Sequence, residues 1–445
     1  MWQTLLNQYT KAFMALLVAG LFSVEPANSQ IAAKISGTLS NIIQSQSHIQ
    51  KIAIFGEDNR KSLPKRYADL DGKIGLLYND RVQTLCTAFC VAPDVIATAA
   101  HCLFGNPKGK RPKIANFSFR IRGKQKTSAS RIAGFRSGAA SHYVVAGTTG
   151  LRTRPPMDAP KDWALAKLST PACKFGVLKV KTQSLPELIE AASQQKIFQV
   201  AYHWDYEHWK LAYSGACGVK QYSGKLNWKE VKRLFANPNA LVLHTCDTGG
   251  ASSGSPILLD SSPDPVVVAM NVGSYEQSKV FIRDGRIVRR SKSRVIANTG
   301  VNASAFVGLT ESLKSASIIE SNDDIVSLQT GLKVKGFNPG ILDGKFGPKT
   351  RKAITSYQIK EGLPVTGIPT QSILTVLMKA IGNVPFESLT GTTSSQSLRL
   401  RGPASVSQKK DTPEKSSNKN KPKKDISFPV LREWFKSYRM PDTNH

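Results

Sequence analysis

Three short stretches hold the residues of this chain best suited to acid–base and nucleophilic chemistry. Residues 86–102 read CTAFCVAPDVIATAAHC, gathering three of the six cysteines and, in His101, one of only seven histidines. Residues 160–169, PKDWALAKLS, place Asp162 ahead of an alternating apolar run. Residues 244–259, HTCDTGGASSGSPILL, set Ser253 in a loop of glycine and serine. A serine hydroxyl acts as a nucleophile when a base takes its proton, a carboxylate orients that base and N–H donors receive the developing oxyanion. His101, Asp162 and the backbone N–H groups of Ala251 and Ser253 would supply these parts. Taken singly, each stretch has a plainer reading: a hydrogen-bonded core histidine, a turn aspartate and a small-residue turn.

The elements that would carry these residues read as strands. VIATAA is a small, β-branched run that delivers His101 at its end. Trp-Ala-Leu-Ala-Lys-Leu alternates after Asp162, and the serine loop lies between ALVLHTC and PILLDS, both β-type segments. Small residues let that loop turn tightly and expose its N–H groups.

Together, TAAHC, DWAL and SSGSP, in the order His, Asp, Ser, resemble the motifs of the chymotrypsin-like serine endopeptidases. The likeness spans about residues 50–315 by eye. It is greatest to the bacterial glutamyl-endopeptidase branch, through IFGEDNR at 54–60 and DTGGASSGSP in the serine loop. The resemblance implies an all-β fold of two six-stranded antiparallel barrels with the site between them. It implies Ser253 as nucleophile, His101 as general base and acid, and Asp162 as the group that fixes the imidazole tautomer. Ala251 and Ser253 become the oxyanion donors, and Asp247, Asn271 and Gly273 the substrate-pocket positions.

Three positions depart from the family pattern. Ala251 stands where glycine is usual, and losing that oxyanion donor would cost about 2.7–4 kcal/mol of transition-state stabilisation. Ser252 replaces the aspartate that pairs with a newly cut N-terminus in animal trypsins. Asn271 replaces the histidine of glutamyl-specific members. Asp247 has the spacing of the trypsin specificity aspartate, but glutamyl-specific relatives share it, so either a pocket role or a structural one fits, and the cleavage preference stays open. An inactive, scaffolding version of the fold is the competing reading, and Ala251 is its basis.

The family also has a disulfide bracketing its histidine loop, which implies a Cys86–Cys102 bond. Cys217 and Cys246 flank the approach to the serine loop and form a plausible second pair. Cys90 and Cys173 remain as the third. Export would permit all three. No pair has the close spacing of a zinc site, and no metal or organic cofactor is implied. Lys11, the apolar run Ala12–Val24 and the small residues Ala27 and Ser29 have the build of a signal peptide over 1–29. A retained N-terminal anchor is the alternative. Residues 30–49 follow as an arm or propeptide, and no later segment is long and apolar enough to span a membrane.

Past residue 317 the periodicity turns helical. Ile325, Leu328 and Leu332, then Ala353, Ile354 and Tyr357, then Ile373, Leu374 and Leu377 mark three apolar faces. The elements LQ, DGKFGPKT, YQ and GLPVTG, in order, resemble the peptidoglycan-binding domain of bacterial wall enzymes. This implies a small three-helix domain over 318–380, with Asp343, Gly344, Phe346 and Gly347 beside a groove for wall glycan or peptide. A docking module without a ligand is the alternative. The joining segment KSASIIESNDD is polar enough to be solvated, which predicts a protease domain over 50–317 independent of the module.

The net charge of +30 is strongly basic. Part of it lies in 381–445, where 399–424 reads RLRGPASVSQKKDTPEKSSNKNKPKK, a composition expected to stay disordered. Anionic wall polymers or lipid headgroups are the partners this charge suggests, and a merely solubilising tail is the alternative. The final ISFPVLREWFKSYRMP fits a short surface helix or a partner-binding segment. No nucleic-acid recognition motif is present.

Overall fold

The computed structural model describes residues 53–382 and 425–432, apart from 80, 82–83, 106–111, 122–127, 208–209, 220–227, 284–285 and 291–293. The expected signal peptide, the arm behind it and most of the basic tail lie outside these residues.

Between 61 and 302 the chain is built of short strands. Several of them, such as Val95–Thr98, Ile197–Tyr202 and Leu241–His244, are buried on both faces, while others bury one face. In Phe117–Ile121, Phe117, Phe119 and Ile121 are buried while Ser118 and Arg120 are not. This is how a strand presents one face to a core. The strands are β1 (Lys61–Ser62), β2 (Ile74–Asn79), β3 (Thr84–Ala92), β4 (Val95–Thr98), β5 (Phe117–Ile121), β6 (Ser128–Arg131), β7 (Val144–Ala146) and β8 (Ala164–Lys167). They continue as β9 (Ile197–Tyr202), β10 (Leu211–Ser214), β11 (Leu241–His244), β12 (Pro256–Leu259), β13 (Val266–Arg283), β14 (Arg286–Arg290), β15 (Arg294–Asn302) and β16 (Asp425–Arg432).

Two antiparallel sheets result, each curled into a half-barrel. Among the described residues the first has seven strands in the order β6-β5-β2-β3-β4-β8-β7. The second follows β1-β10-β9-β12-β13-β15-β11, with β14 and β16 paired to β13. Short edge strands therefore take each sheet past the six strands expected. One apolar core runs between the sheets, from Leu77, Phe89 and Phe119 to Phe198, Leu258 and Met270.

Within the tail, Asp425–Arg432 forms strand β16 and not the short helix that is one of the two expectations for ISFPVLREWFKSYRMP. The strand's backbone pairs antiparallel with Ser274–Phe281. Pro429 is tolerated because the strand lies at an edge, paired among the described residues only with β13.

Helices Asn322–Val334, Pro348–Lys360 and Gln371–Gly382 form the second domain. All nine residues expected on the three apolar faces are buried there, joined by Ile319. Each loop between helices is buckled by a glutamine from the helix before it. Gln329 Nε2 donates to Thr350 Oγ1 at 3.1 Å, and its Oε1 accepts from Gly344 N at 3.1 Å. Gln358 repeats the pattern with Thr366 and Gly367, both at 2.8 Å.

The joining segment is solvated along its polar residues but anchored at its apolar ones. Ala316 and Ile318 pack against the protease core and Ile319 is buried in the helical one. Two isoleucines inside a polar run are enough to anchor it to both cores.

Candidate active site

His101 lies in a five-residue helix, Ala100–Phe104, entered directly from the fully buried β4. Asp162 caps the turn Ala159–Lys161 just ahead of β8, which pairs with β4. That pairing brings together side chains 61 positions apart. One carboxylate oxygen of Asp162 accepts from the His101 backbone N–H at 2.8 Å; the other accepts from His101 Nδ1 at 2.6 Å. Both residues are almost fully buried, at 3% and 1% exposure. A carboxylate holding Nδ1–H fixes the tautomer with its basic lone pair on Nε2. Cys102 Sγ lies 3.8 Å from that Nε2 and 3.9 Å from the Ser253 carbonyl oxygen, so the histidine and serine loops meet at this point.

The serine loop is pinned on several sides. Thr87 N–H donates to the Ser253 carbonyl at 2.9 Å, and Gly254 N–H to the Asn271 carbonyl at 2.7 Å. Gly254 has φ +83°, and a Cβ there would stand 2.3 Å from Thr87 O, so no other residue fits. The neighbouring hydroxyls are committed: Ser252 Oγ donates to Gly249 O at 2.7 Å, and Ser255 Oγ accepts from Gln199 Nε2 at 2.6 Å. Both are buried, whereas Ser253 is half-exposed. Ser252, which lacks the carboxylate of the animal enzymes, thus stabilises the loop from within.

Ala251 has φ +73°, in the left-handed region where a Cβ is disfavoured. Hydrogen bonds on both sides hold it there. The Gly250 carbonyl accepts from Trp204 N–H at 2.9 Å, and the Ala251 carbonyl accepts from Thr87 Oγ1 at 2.8 Å. Because a peptide is planar and trans, fixing the Gly250 carbonyl turns the Ala251 N–H the opposite way. Among the described residues neither that N–H nor that of Ser253 donates to a backbone carbonyl.

Two of the three expected pocket residues are engaged elsewhere. Asp247 is fully buried, and its oxygens accept from Phe55 N at 2.8 Å and Asn59 N at 2.9 Å. Burial pushes its carboxyl above the usual range, and these two amides oppose that. Its carboxylate therefore fastens the 55–59 segment. Asn271 is buried behind the serine loop and donates from Nδ2 to the Ser252 carbonyl at 3.1 Å. Its Oδ1 lies 3.2 Å from His244 Nε2, and His244 Nδ1 accepts from Cys246 N–H at 3.3 Å. That imidazole is buried and neutral, its pKa pulled down to about 4 by desolvation. Gly273 sits half-buried at an irregularity in the β13–β15 ladder.

The structure adds residues that no sequence motif marked. His203 Nδ1 accepts from Gly249 N–H at 2.8 Å, and burial pulls its pKa down to about 3. Arg60 lies between Asp58 and Asp205 with contacts of 2.9 and 3.0 Å. Burial works against its charge, but these two carboxylates outweigh it and raise its pKa. The only sequence signal was the likeness of IFGEDNR to the start of related enzymes.

All three disulfides form as expected: Cys86–Cys102, Cys90–Cys173 and Cys217–Cys246. His101, Cys86 and Cys102 bring three possible ligand atoms within 4.8 Å. The two sulfurs are bonded to each other, so the cluster offers a metal only an imidazole. Among the described residues no helix is long and apolar enough to cross a membrane.

In the helical domain, Asp343 is exposed, and its Oδ1 accepts from Lys345 N–H at 3.0 Å. Gly344 is buried with φ +70°, and Gly347 precedes the second helix. Phe346 does not point into open solvent. Its ring meets that of His142, from the first sheet's domain, at 4.8 Å.

Comparison with known proteins agrees with this division. Residues 86–270 match the trypsin-like peptidase domain and residues 321–377 a peptidoglycan binding domain. Two curated spore cortex-lytic enzymes of Bacillus cereus are each 37% identical over 76 residues, 17% of this chain. The chain spans only 29% of the length of those relatives. A solved structure of a Glu endopeptidase in complex with MPD aligns over 59% of this chain and 100% of its own, at 16% identity and a TM-score of 0.37. The chain thus carries a trypsin-like peptidase domain followed by a peptidoglycan binding domain.

Proposed function

We propose that the chain is an exported serine endopeptidase held at the bacterial cell wall by its helical domain. Ser253 attacks the scissile carbonyl, and His101 takes its proton and returns it to the leaving amine. Asp162 fixes the imidazole and stabilises the imidazolium, and the N–H groups of Ala251 and Ser253 receive the oxyanion. The observation that carries this reading is the Asp162 carboxylate gripping both the ring and the backbone of His101. What supports this reading over a scaffold role is that Ala251 is held with its N–H donating to no backbone carbonyl among the described residues.

The protease domain is proposed over 50–317 and the wall-binding domain over 318–380. Three disulfides and the apolar run at 12–24 favour a periplasmic or secreted, wall-associated location. Asp343 and Gly347 are proposed at the wall-facing rim. The basic tail is proposed to add attraction to anionic wall polymers that weakens with salt.

The test is labelling of the mature chain by a serine-directed fluorophosphonate, followed by a peptide library. Ser253→Ala should abolish labelling and lower kcat by about 10⁶-fold. Retained labelling at Ser252 or Ser255 would reject the assignment.

A further inference from the structure

Ile368 of the helical domain enters the protease core, and the polar contacts described next gather on one protease segment, whose strand pairs beside Asp162. Arg351 donates from its two terminal nitrogens to the Val144 carbonyl at 2.8 Å and the Ser141 carbonyl at 2.7 Å. Its guanidinium also stacks over Phe346 at 4.7 Å. His142 Nδ1 donates to the Ile319 carbonyl at 2.8 Å. Glu320 accepts from Ser137 Oγ at 2.5 Å and from the Tyr143 hydroxyl. Every one of these groups lies between Ser137 and Val144 on the protease side.

That segment becomes β7, whose residues Val144, Val145 and Ala146 pair with Ala166, Leu165 and Ala164 of β8. The ladder is extended by Gly147 N–H, which donates to the Trp163 carbonyl at 3.0 Å. A Cβ on Gly147 would stand 2.5 Å from Lys161 O, so backbone is packed against backbone on either side of Asp162. Strand β7 is an edge strand of three residues. Its own pairing is short, and the two bonds from Arg351 fall at its start.

We propose that Arg351 is a positioning residue for the protease: acting through the Ser141 and Val144 carbonyls, it holds β7 against β8 and so sets Asp162 against His101. The helical domain then contributes to the chemical step as well as to location. This rests on the proposed protease mechanism. It also explains why Phe346 and Arg351 of the DGKFGPKT region face the protease domain, where a wall-binding role alone would leave them open.

The experiment uses the full-length mature chain. Arg351→Met keeps the aliphatic stem and removes both donors. Its kcat on a short soluble peptide should fall about 10-fold or more, since small displacements of catalytic groups are that costly, with KM unchanged. Arg351→Lys, able to reach one of the two carbonyls, should recover part of the loss. Ile359→Ser, on an exposed part of the same helix, should leave kcat as it was.

Proton NMR reads the positioning directly, because the short Nδ1–H···Oδ2 bond gives a far-downfield resonance. That resonance should broaden or vanish in Arg351→Met and persist in Ile359→Ser. If Arg351→Met fails to fold, Glu320→Gln loosens the same interface and is read in the same way. A folded variant with unchanged kcat and an unchanged resonance would overturn the proposal. A wild-type chain that shows the resonance but resists the fluorophosphonate would overturn the protease reading instead, and the response of the resonance to Arg351→Met would still decide the positioning role.

Discussion

Trp204 donates its backbone N–H to the Gly250 carbonyl at 2.9 Å, and this bond sets the direction in which the Ala251 N–H points. The Trp204 indole also covers Gly250, where a Cβ would stand 1.6 Å from its Nε1. The proposed oxyanion donor is thus aimed from a loop about fifty residues upstream of Ser253.

Gly250→Ala should therefore disable the site. The added methyl must displace the indole or turn the peptide, and losing one oxyanion donor lowers kcat by about 10²–10³-fold. Ala251→Gly should do little to labelling. It removes a left-handed penalty of about 1–2 kcal/mol and adds backbone entropy worth about 0.5–1 kcal/mol, for a small net gain in stability. Fluorophosphonate labelling rates and urea denaturation of the two variants check both outcomes. A large rise in labelling of Ala251→Gly would show that alanine impairs the wild-type donor.

Asp247 offers a test between scaffold and pocket. Asn at this position keeps one acceptor for two amides, so Asp247→Asn should destabilise the fold by about 1–3 kcal/mol. Its peptide-library profile should match that of the wild type. A profile that loses a preference for basic residues would return Asp247 to the pocket.

Stability should fall as the pH drops below the ordinary histidine range. His203 and His244 are buried and neutral, with pKa values lowered from 6.5 to about 3 and about 4. Between those values and 6.5 the unfolded chain binds more protons than the folded one. Their contribution is therefore complete above pH 6.5 and is lost as pH falls through the window, at about 1.4 kcal/mol per pH unit for each histidine. Asp247, shifted upward, acts in the opposite sense and blunts the trend at its acid end. Urea denaturation from pH 7.5 to 4.5 measures the slope, and a flat profile would mean that the two imidazoles are not buried neutral.

The disulfides should contribute unequally. Cys90–Cys173 closes a sequence separation of 83, against 16 for Cys86–Cys102. Loop-closure entropy then gives about 4.5 kcal/mol for the first and about 3 kcal/mol for the second. Paired Cys→Ala variants, compared by their denaturation midpoints, should keep that order; the reverse order would place the main effect in the native state around His101.

Much of the candidate site was legible from local sequence. His101, Asp162 and Ser253 each sit in a short motif whose residue types declare a strand end or a tight turn. The helical faces from Ile325 to Leu377 follow directly from a 3.6-residue period. These features depend on near neighbours in the chain, so they can be read without the fold. What the tertiary structure decided was the use of groups whose partners lie far away. Asp247 looks identical in sequence whether it faces a substrate or two amides 192 and 188 residues upstream. Ala251 reads as a defect until Trp204 and Thr87 are seen to hold its two carbonyl neighbours. Ile318 and Ile319 read as part of a polar linker until two cores claim them. Phe346 reads as part of a wall-binding turn until His142 of the protease domain meets its ring. Burial and hydrogen bonding across such separations are set by how sheets and helices pack, and no local pattern encodes which of several possible partners will arrive.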